Sequence, residues 1–370
     1  MAAQEEDRAV APPESDLIVN TDLRYPICIG DDTLPAIATF LEHRGQPFVV
    51  LCDDNANVQK IARAIARNPG ARGIRAITLG ESRKRLSTFE AVHEALLALG
   101  VDRSTLVVGV GGGIASDLFG FAAATYMRGI PYMHVATTLV AMVDAAIGGK
   151  TGVDLRHGKN LVGSFADPVA VFAHTGALQT LPYRQLREGL AEILKASIIE
   201  GHEFFESIET LAPHPFWRWP WLEIVAQAVK VKTMIVVDDR LEAGMRELLN
   251  LGHTFGHALE TASGYRITHG AGVALGLRAA GILAMKTGRF SMEEHLRILA
   301  TMALLGMPIR TTVGADDAFF AMHADKKKRA GRLRFVLPRA IGDVDYGIEA
   351  SDRHVKSALG MLRRSPENAG

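Results

Sequence analysis

The sequence predicts an α/β domain built on a mostly parallel sheet, followed by an all-helical domain. Three observations point there. Up to about residue 173, short β-rich runs alternate with helical ones, the rhythm of βαβ units. From about residue 183 onward strand signals fade and apolar residues recur at helical spacing, with Gly or Pro between many of the segments. The chain's 370 residues also exceed what one hydrophobic core usually serves, so two domains are expected.

Taken in order, residues 1–16 are acidic and contain proline, the opposite of the basic start of a secretion signal, and are expected to form a flexible tail. The first domain is expected over 17–182. It contains FVVLCD at 48–53 as a strand, a helix near 57–67, the strand IRAITL, a helix near 87–99 and the strand TLVVGV. The helical domain is expected over 183–363, with helical periodicity at 184–210, 221–236, 243–262, 270–287 and 292–304. One β-like run, LRFVLP at 333–338, interrupts it, and 364–370 is expected as a second flexible tail. Such a pairing of domains is expected to leave a cleft, a preferred place for ligands.

Composition excludes several classes. With 41 Lys+Arg against 41 Asp+Glu, no whole-chain field attracts nucleic acid or an anionic bilayer, and any basic site is local. A 48% hydrophobic and 22% charged composition suits a large globular core. The apolar stretch from Leu106 to Met127 is broken by glycines and Asp117, so no membrane span is expected. Two isolated cysteines, Cys28 and Cys52, suit neither a disulfide framework nor a thiolate metal site, and point to a cytoplasmic protein.

TLVVGV runs directly into Gly111, Gly112, Gly113, Ile114, Ala115, Ser116 and Asp117, then into the helical pattern FGFAAATY. Glycines let the backbone approach a pyrophosphate, and the helix N-terminus offers unpaired N–H groups and partial positive charge to it. The spacing departs from the Rossmann G-x-G-x-x-G, since Ile114 takes the third glycine position, so a tight structural turn is the other reading. Asp53 or Asn55, just past the first strong strand, is placed to meet an adenosine ribose, although acids commonly end strands.

His253 and His257 in LNLGHTFGH lie at i and i+4, on one helix face, and by spacing alone both read as metal ligands. His269 follows in ITHGAG and Glu192 lies in REGLAEILKASII. Imidazole and carboxylate suit a catalytic zinc with three protein ligands and one open position; buried, hydrogen-bonded histidines are the alternative. Lys150 in GGKTG, Lys159 and Asn160 in HGKNLVG, Lys195, and Lys232 in AVKVKT are either solvated or converge on a phosphate and carboxylate pocket. Arg246, four residues before Asn250, is expected on the same helical face.

Six blocks, GGGIASDLFGFAAATYMRG, TTLVAMVDAAIGGKTGVDLRHGKNLVGSF, LREGLAEILK, RELLNLGHTFGHALE, THGAGVALG and DKKKRAGRLRFVLPRAIG, resemble in this order the signature blocks of 3-dehydroquinate synthases, a branch of the sugar-phosphate cyclases. The resemblance covers about residues 17–362. It implies an NAD-binding Rossmann-like α/β domain, a helical metal- and substrate-binding domain, a homodimer and a small sugar-phosphate substrate, with no nucleic-acid or membrane partner. The zinc ligands implied are Glu192, His253 and His269, cobalt being an alternative metal, with His257 in the substrate pocket instead. NAD is implied against Gly111, Gly112 and Gly113, with Asp117, Thr137 and Thr138 at the nicotinamide half, Asp53, Glu81 and Lys84 at the adenosine half, and Thr180 also in contact. For substrate, the resemblance assigns Asp144 and Lys195 to hydroxyls, Lys232 and Arg246 to the carboxylate end, and Lys150, Asn160, Asn250, His257 and Lys326 to phosphate. Lys159 completes the pocket, and Arg128 matches an arginine reaching the neighbouring subunit.

The reaction implied converts 3-deoxy-D-arabino-heptulosonate 7-phosphate to 3-dehydroquinate and phosphate, through transient oxidation, phosphate elimination, reduction and aldol closure. Alternatives are a cyclase making an inosose or a valiolone, a metal-dependent polyol dehydrogenase that releases NADH, and a non-enzymatic descendant that has lost its ligands. The sequence departs from the family where H-G-E-A-V reads His269-Gly270-Ala271-Gly272-Val273 and V-D-S-S reads Val143-Asp144-Ala145-Ala146, and Ala196 stands where an aromatic is common. These positions bear on how ligands are oriented.

Overall fold

The computed structural model describes residues 17–19, 23–155, 158–328 and 333–363, and the side chains within 23–155, 158–323 and 333–363. Both expected tails lie outside the described residues. The chain forms two compact units, one running to Leu181 and including Trp221–Thr233, the other made of Pro182–Pro220 and the chain from Met234 onward. The sequence reading assigns 221–233 to the second domain, whereas this segment packs with the first unit.

The first unit contains β1 (Leu17–Val19), β2 (Ile27–Gly30), α1 (Leu34–Arg44), β3 (Phe48–Asp53), α2 (Ala56–Ile65), β4 (Ala71–Ile77), α3 (Leu86–Ala98), β5 (Leu106–Gly111), α4 (Gly113–Thr125), β6 (Tyr132–Ala136), β7 (Lys150–Leu155), β8 (Gly158–Phe165) and β9 (Val171–His174). Its seven-stranded sheet has the order β1-β2-β9-β6-β5-β3-β4, in which only the β1–β2 pair is antiparallel. Alternation along the strands serves two cores. Phe48, Val50, Cys52, Leu106, Val108 and Val110 pack on one face with Ile37 and Leu41 of α1 and Ile65 of α2. Val49, Leu51 and Val107 pack on the other with Val92 and Leu96 of α3 and Leu118 and Phe119 of α4. Burial on both faces explains why these strands read as unbroken apolar runs.

The second unit contains α5 (Tyr183–Glu200), α6 (His202–Leu211), α8 (His253–Ala262), α9 (His269–Lys286), α10 (Met292–Leu304), α11 (Ala315–Lys328), β10 (Phe335–Ala340), β11 (Asp343–Ile348) and α12 (Asp352–Met361). Helix α7 (Trp221–Asp238) begins in the first unit and ends in the second. The periodic run at 184–210 is two helices broken at Gly201, whose φ of 144° suits glycine. The run at 243–262 is a 3-10 turn, Met245–Asn250, followed by α8. At three residues per turn, Arg246 and Asn250 do not share the helical face their four-residue spacing predicts.

Candidate active site

The glycine turn lies in the first unit, at the carboxyl ends of β3 and β5. There the strand order reverses, since β4 lies outside β3 and β5 on its other side, and open α/β sheets bind ligands at such a point. A Cβ at Gly111 would sit 2.6 Å from Ala115 Cβ, one at Gly112 2.9 Å from Thr138 Cγ2, and one at Gly113 3.1 Å from Ala145 Cβ. Packing therefore selects for glycine at Gly111 and Gly112 and is tight at Gly113, as the structural reading of the turn requires. It also leaves the α4 N-terminus bare, because the N-cap Gly112 has no side chain to satisfy the first N–H groups. Beside it, the buried Thr137 hydroxyl finds no hydrogen-bond partner among the described residues. A bare helix start with an orphaned hydroxyl fits the phosphates of a dinucleotide.

Asp53 adjoins the turn, its Cβ 3.7 Å from the place a Gly111 Cβ would take. Burial raises its carboxyl above the usual range. Asn55 is occupied structurally, capping α2 through the amides of Asn57 and Val58 at 2.9 and 3.4 Å. Thr180 ends a 3-10 turn, Thr175–Thr180, and donates to Ala177 O at 3.1 Å.

A second cluster ties the antiparallel β7–β8 hairpin to the short turn Glu81–Arg83. Lys84 Nζ pairs with Asp117 at 2.5 Å and donates to Asn160 Oδ1 at 2.6 Å, while Lys159 Nζ meets Glu81 at 2.6 Å. Burial works against the Lys84 charge, but Asp117 outweighs it and holds the ammonium above its ordinary range. The resemblance assigns Lys84 to the adenosine half of NAD and Asn160 to the substrate phosphate, and here the two side chains touch. Asn160 has a φ of 52°, with its amide donating to Asp154 at 2.8 Å. Asp144 lies on a π-turn, Ala141–Ala145, and receives Lys232 Nζ at its backbone oxygen, 2.6 Å, and its carboxylate, 2.5 Å. Lys150 opens β7 exposed, and Arg128 is exposed in a turn with φ values of 48° at Met127 and 70° at Arg128.

In the second unit α5 supplies Glu192 and Lys195, α8 supplies His253 and His257, and His269 is the first residue of α9. Glycines bring α8 and α9 together. A Cβ at Gly256 would lie 2.8 Å from Gly272 O, and one at Gly276 1.9 Å from Gly252 O, so the helices meet backbone to backbone at two levels. The buried Glu192 thereby faces both histidines, with Oε1 3.6 Å from His253 Nε2 and 3.0 Å from His269 Nε2. Its other oxygen pairs with the buried Lys195. Burial alone would raise the Glu192 carboxyl, but Lys195 and the two histidines hold it well below the usual range. Burial, and then Lys195, push His253 down to about 3.

Donors around a tetrahedral zinc, at bond lengths of about 2.0–2.2 Å, stand roughly 3.3–3.6 Å apart, close to the spacings seen here. The donor set therefore fits a divalent cation. His257 lies near as well, since the three histidines offer ring nitrogens within 4.8 Å of one another. Behind His269 stands a residue that sequence reasoning missed. The buried Glu260 Oε1 lies 3.4 Å from His269 Nδ1, the carboxylate–histidine arrangement that fixes a metal-binding imidazole. Burial disfavours a charge on His269, but Glu192 and Glu260 together raise it to about 10. The signal was present in HALE, where Glu260 follows His253 by seven residues on one α8 face. Gly272, one of the departures, bears on it directly, because a Cβ there would come within 3.1 Å of Glu260 Oε1.

Arg246 is buried on the 3-10 turn and donates to Arg240 O, and Asn250 Nδ2 donates to Glu242 at 2.8 Å. Lys326 lies on α11, with its side chain outside the described residues.

Residues 74–188 match the family model of the 3-dehydroquinate synthase N-terminal part, and 189–328 that of its C-terminal part. The 3-dehydroquinate synthase of Gloeobacter violaceus is 39% identical over 351 residues, 92% of this chain and 96% of its own. The chain belongs to the 3-dehydroquinate synthase family. Another family member, from Solibacter usitatus, is 45% identical over 276 residues, covering 73% of this chain and 77% of its own.

Among solved structures, a 2-epi-5-epi-valiolone synthase from Streptomyces hygroscopicus with NAD+ and Zn2+ bound is similar at a TM-score of 0.82 and 28% identity, covering 93% of this chain and 98% of its own. A 2-deoxy-scyllo-inosose synthase complexed with carbaglucose-6-phosphate, NAD+ and Co2+ is similar at 0.82 and 25% identity, covering 93% and 99%. An iron-containing alcohol dehydrogenase from Corynebacterium glutamicum, at 0.66 and 13% identity over 95% and 99%, shares the fold alone.

Proposed function

We propose that this chain is a redox-neutral cyclase that converts 3-deoxy-D-arabino-heptulosonate 7-phosphate into 3-dehydroquinate and phosphate with bound NAD and a divalent metal, zinc first. The observation that carries the reading is the convergence of Glu192, His253 and His269 in a chain whose curated relatives are 3-dehydroquinate synthases. When bound, NAD supplies a hydride acceptor that is regenerated in each cycle, and the metal supplies a Lewis acid.

The chain's own groups bind and orient. The bare N-terminus of α4, with Gly111, Gly112, Gly113, Asp117, Thr137 and Thr138, cradles the dinucleotide; Asp53, Glu81, Lys84 and Thr180 hold its remaining contacts. Asp144 and Lys195 hold substrate hydroxyls, and Lys232 and Arg246 the carboxylate. Lys150, Lys159, Asn160, Asn250, His257 and Lys326 hold the phosphate. Fixing both anionic ends presents each bound intermediate already oriented for its next step. The ion pairs of Lys159 and Lys232 hold these cations in place, so phosphate and carboxylate exchange for protein carboxylates instead of water. We further place the enzyme in the cytoplasm, in keeping with two cysteines buried on strands, Cys52 with its thiol pushed up to about 11 by burial. Arg128, on its exposed strained turn, is assigned to the interface of a homodimer.

A cyclase of the valiolone or inosose type is the second reading, favoured by the two solved structures, at 28% and 25% identity. Offering the purified enzyme three substrates separately, the heptulosonate 7-phosphate, sedoheptulose 7-phosphate and glucose 6-phosphate, decides between them. Phosphate release from the carboxylated sugar alone is expected. Turnover of either uncarboxylated sugar in its place would overturn the assignment.

A further inference from the structure

The residues on either side of His269 are held by a carboxylate that is not a candidate ligand. Glu188 lies on α5 four residues before Glu192, hence on the same face one turn earlier. Its Oε1 accepts from the Thr268 hydroxyl at 2.6 Å and its Oε2 from the Gly270 amide at 2.5 Å, gripping the chain on both sides of His269. Thr268 is the N-cap of α9 but makes no capping bond with its own side chain. The acceptor that a helix start normally draws from its N-cap residue is here supplied by another helix, as an anion at the positive end of the α9 dipole. The approach is close enough to demand glycine, since a Cβ at Gly270 would lie 2.4 Å from Glu188 Cα. Successive turns of α5 thus hold one histidine, Glu188 through the backbone and Glu192 at the ring, 3.0 Å from Nε2.

We propose that Glu188 is a positioning residue that sets the distance between His269 and Glu192 and thereby the affinity and geometry of the metal site, an inference that rests on the metal-dependent reading above. Both of its oxygens are engaged, so it acts through α9 and not as a ligand.

The test is a titration of Co2+ into the metal-stripped full-length protein without substrate, following the visible absorption of the bound ion and its loss to a competing chelator. Glu188→Ala is expected to weaken Co2+ binding by about 10- to 100-fold, the range for outer-shell partners of a metal ligand, and to change the intensity of the cobalt band. Glu188→Gln keeps one acceptor oxygen without the charge; an intermediate shift is expected, and this variant carries the test should the alanine variant fail to fold. A cap that served stability alone would lower the melting temperature of the metal-free protein while leaving cobalt affinity and spectrum as in the unaltered chain. That outcome in either folded variant overturns the proposal and leaves the reading of the site intact. An unaltered chain that binds no Co2+ would overturn both.

Discussion

At the scale of single residues, the centre of the site is Glu192, a buried carboxylate between two imidazoles and an ammonium. Glu192→Gln should lower Zn2+ affinity by more than the roughly 10- to 100-fold typical of outer-shell changes, whereas His257→Ala should stay within that range. Chelator competition on the two variants measures both, and the reverse order would make the three histidines the ligand set. Spacing alone could not rank these residues. Four-residue spacing places His253 and His257 on one face, but only packing against α5 and α9 tells that His253 is buried and His257 exposed. Resemblance pointed to Glu192, whereas Glu260 and Glu188 went unread because their partners lie on other helices or far along the chain. For substrate, Lys150→Ala or Asn250→Ala should raise KM strongly and leave the Kd for NAD nearly unchanged; equal losses for both ligands would contradict the phosphate-side assignment.

At the scale of elements, the crossing of α8 and α9 sets what the histidines can do. Gly276→Ala would push a methyl into Gly252 O, so the helices must part. Overpacking of this kind costs about 1–3 kcal/mol, which denaturant unfolding would read, and metal affinity should fall with it because His253 and His269 ride on the separated helices. The sheet carries a different liability. His134 on β6 is buried and held down to about 3 by burial alone, against about 6.5 when unfolded. Below pH 6.5 the unfolded chain takes up a proton that the folded chain refuses, so stability present above that pH is lost on acidification, by up to about 1.4 kcal/mol per pH unit for this group. His134→Leu should flatten the fall in denaturation midpoint between pH 7.5 and 5.5; an unchanged slope would show that His134 does not drive it. Strands β3 and β5 were legible because burial on both faces leaves continuous apolar runs. Strands β2, β6 and β9, helix α1, the β7–β8 hairpin, β11, α11 and α12 were not singled out. Gly152 and Gly163 cross backbone to backbone in the hairpin, and β11 is largely half-buried, so neither shows a clean alternation.

At the scale of the whole molecule, a chain of zero net charge concentrates its charges locally, in the Lys84–Asp117 and Lys232–Asp144 pairs of the first unit and the Glu192 cluster of the second. No helix among the described residues is long and apolar enough to cross a membrane. The division into two units follows the βαβ rhythm and its loss, but the return of 221–233 to the first unit left no mark in the sequence, since a helical period looks the same whichever core it serves. The fold is shared with a dehydrogenase, so fold alone does not separate a cyclase from an enzyme that releases NADH. The decisive measurement records phosphate and the nicotinamide absorbance together while the enzyme, with Zn2+ and a catalytic amount of NAD, acts on 3-deoxy-D-arabino-heptulosonate 7-phosphate. One phosphate released per dehydroquinate formed, with no accumulating NADH, is the expected result; NADH rising in step with substrate consumed would contradict a redox-neutral cyclase.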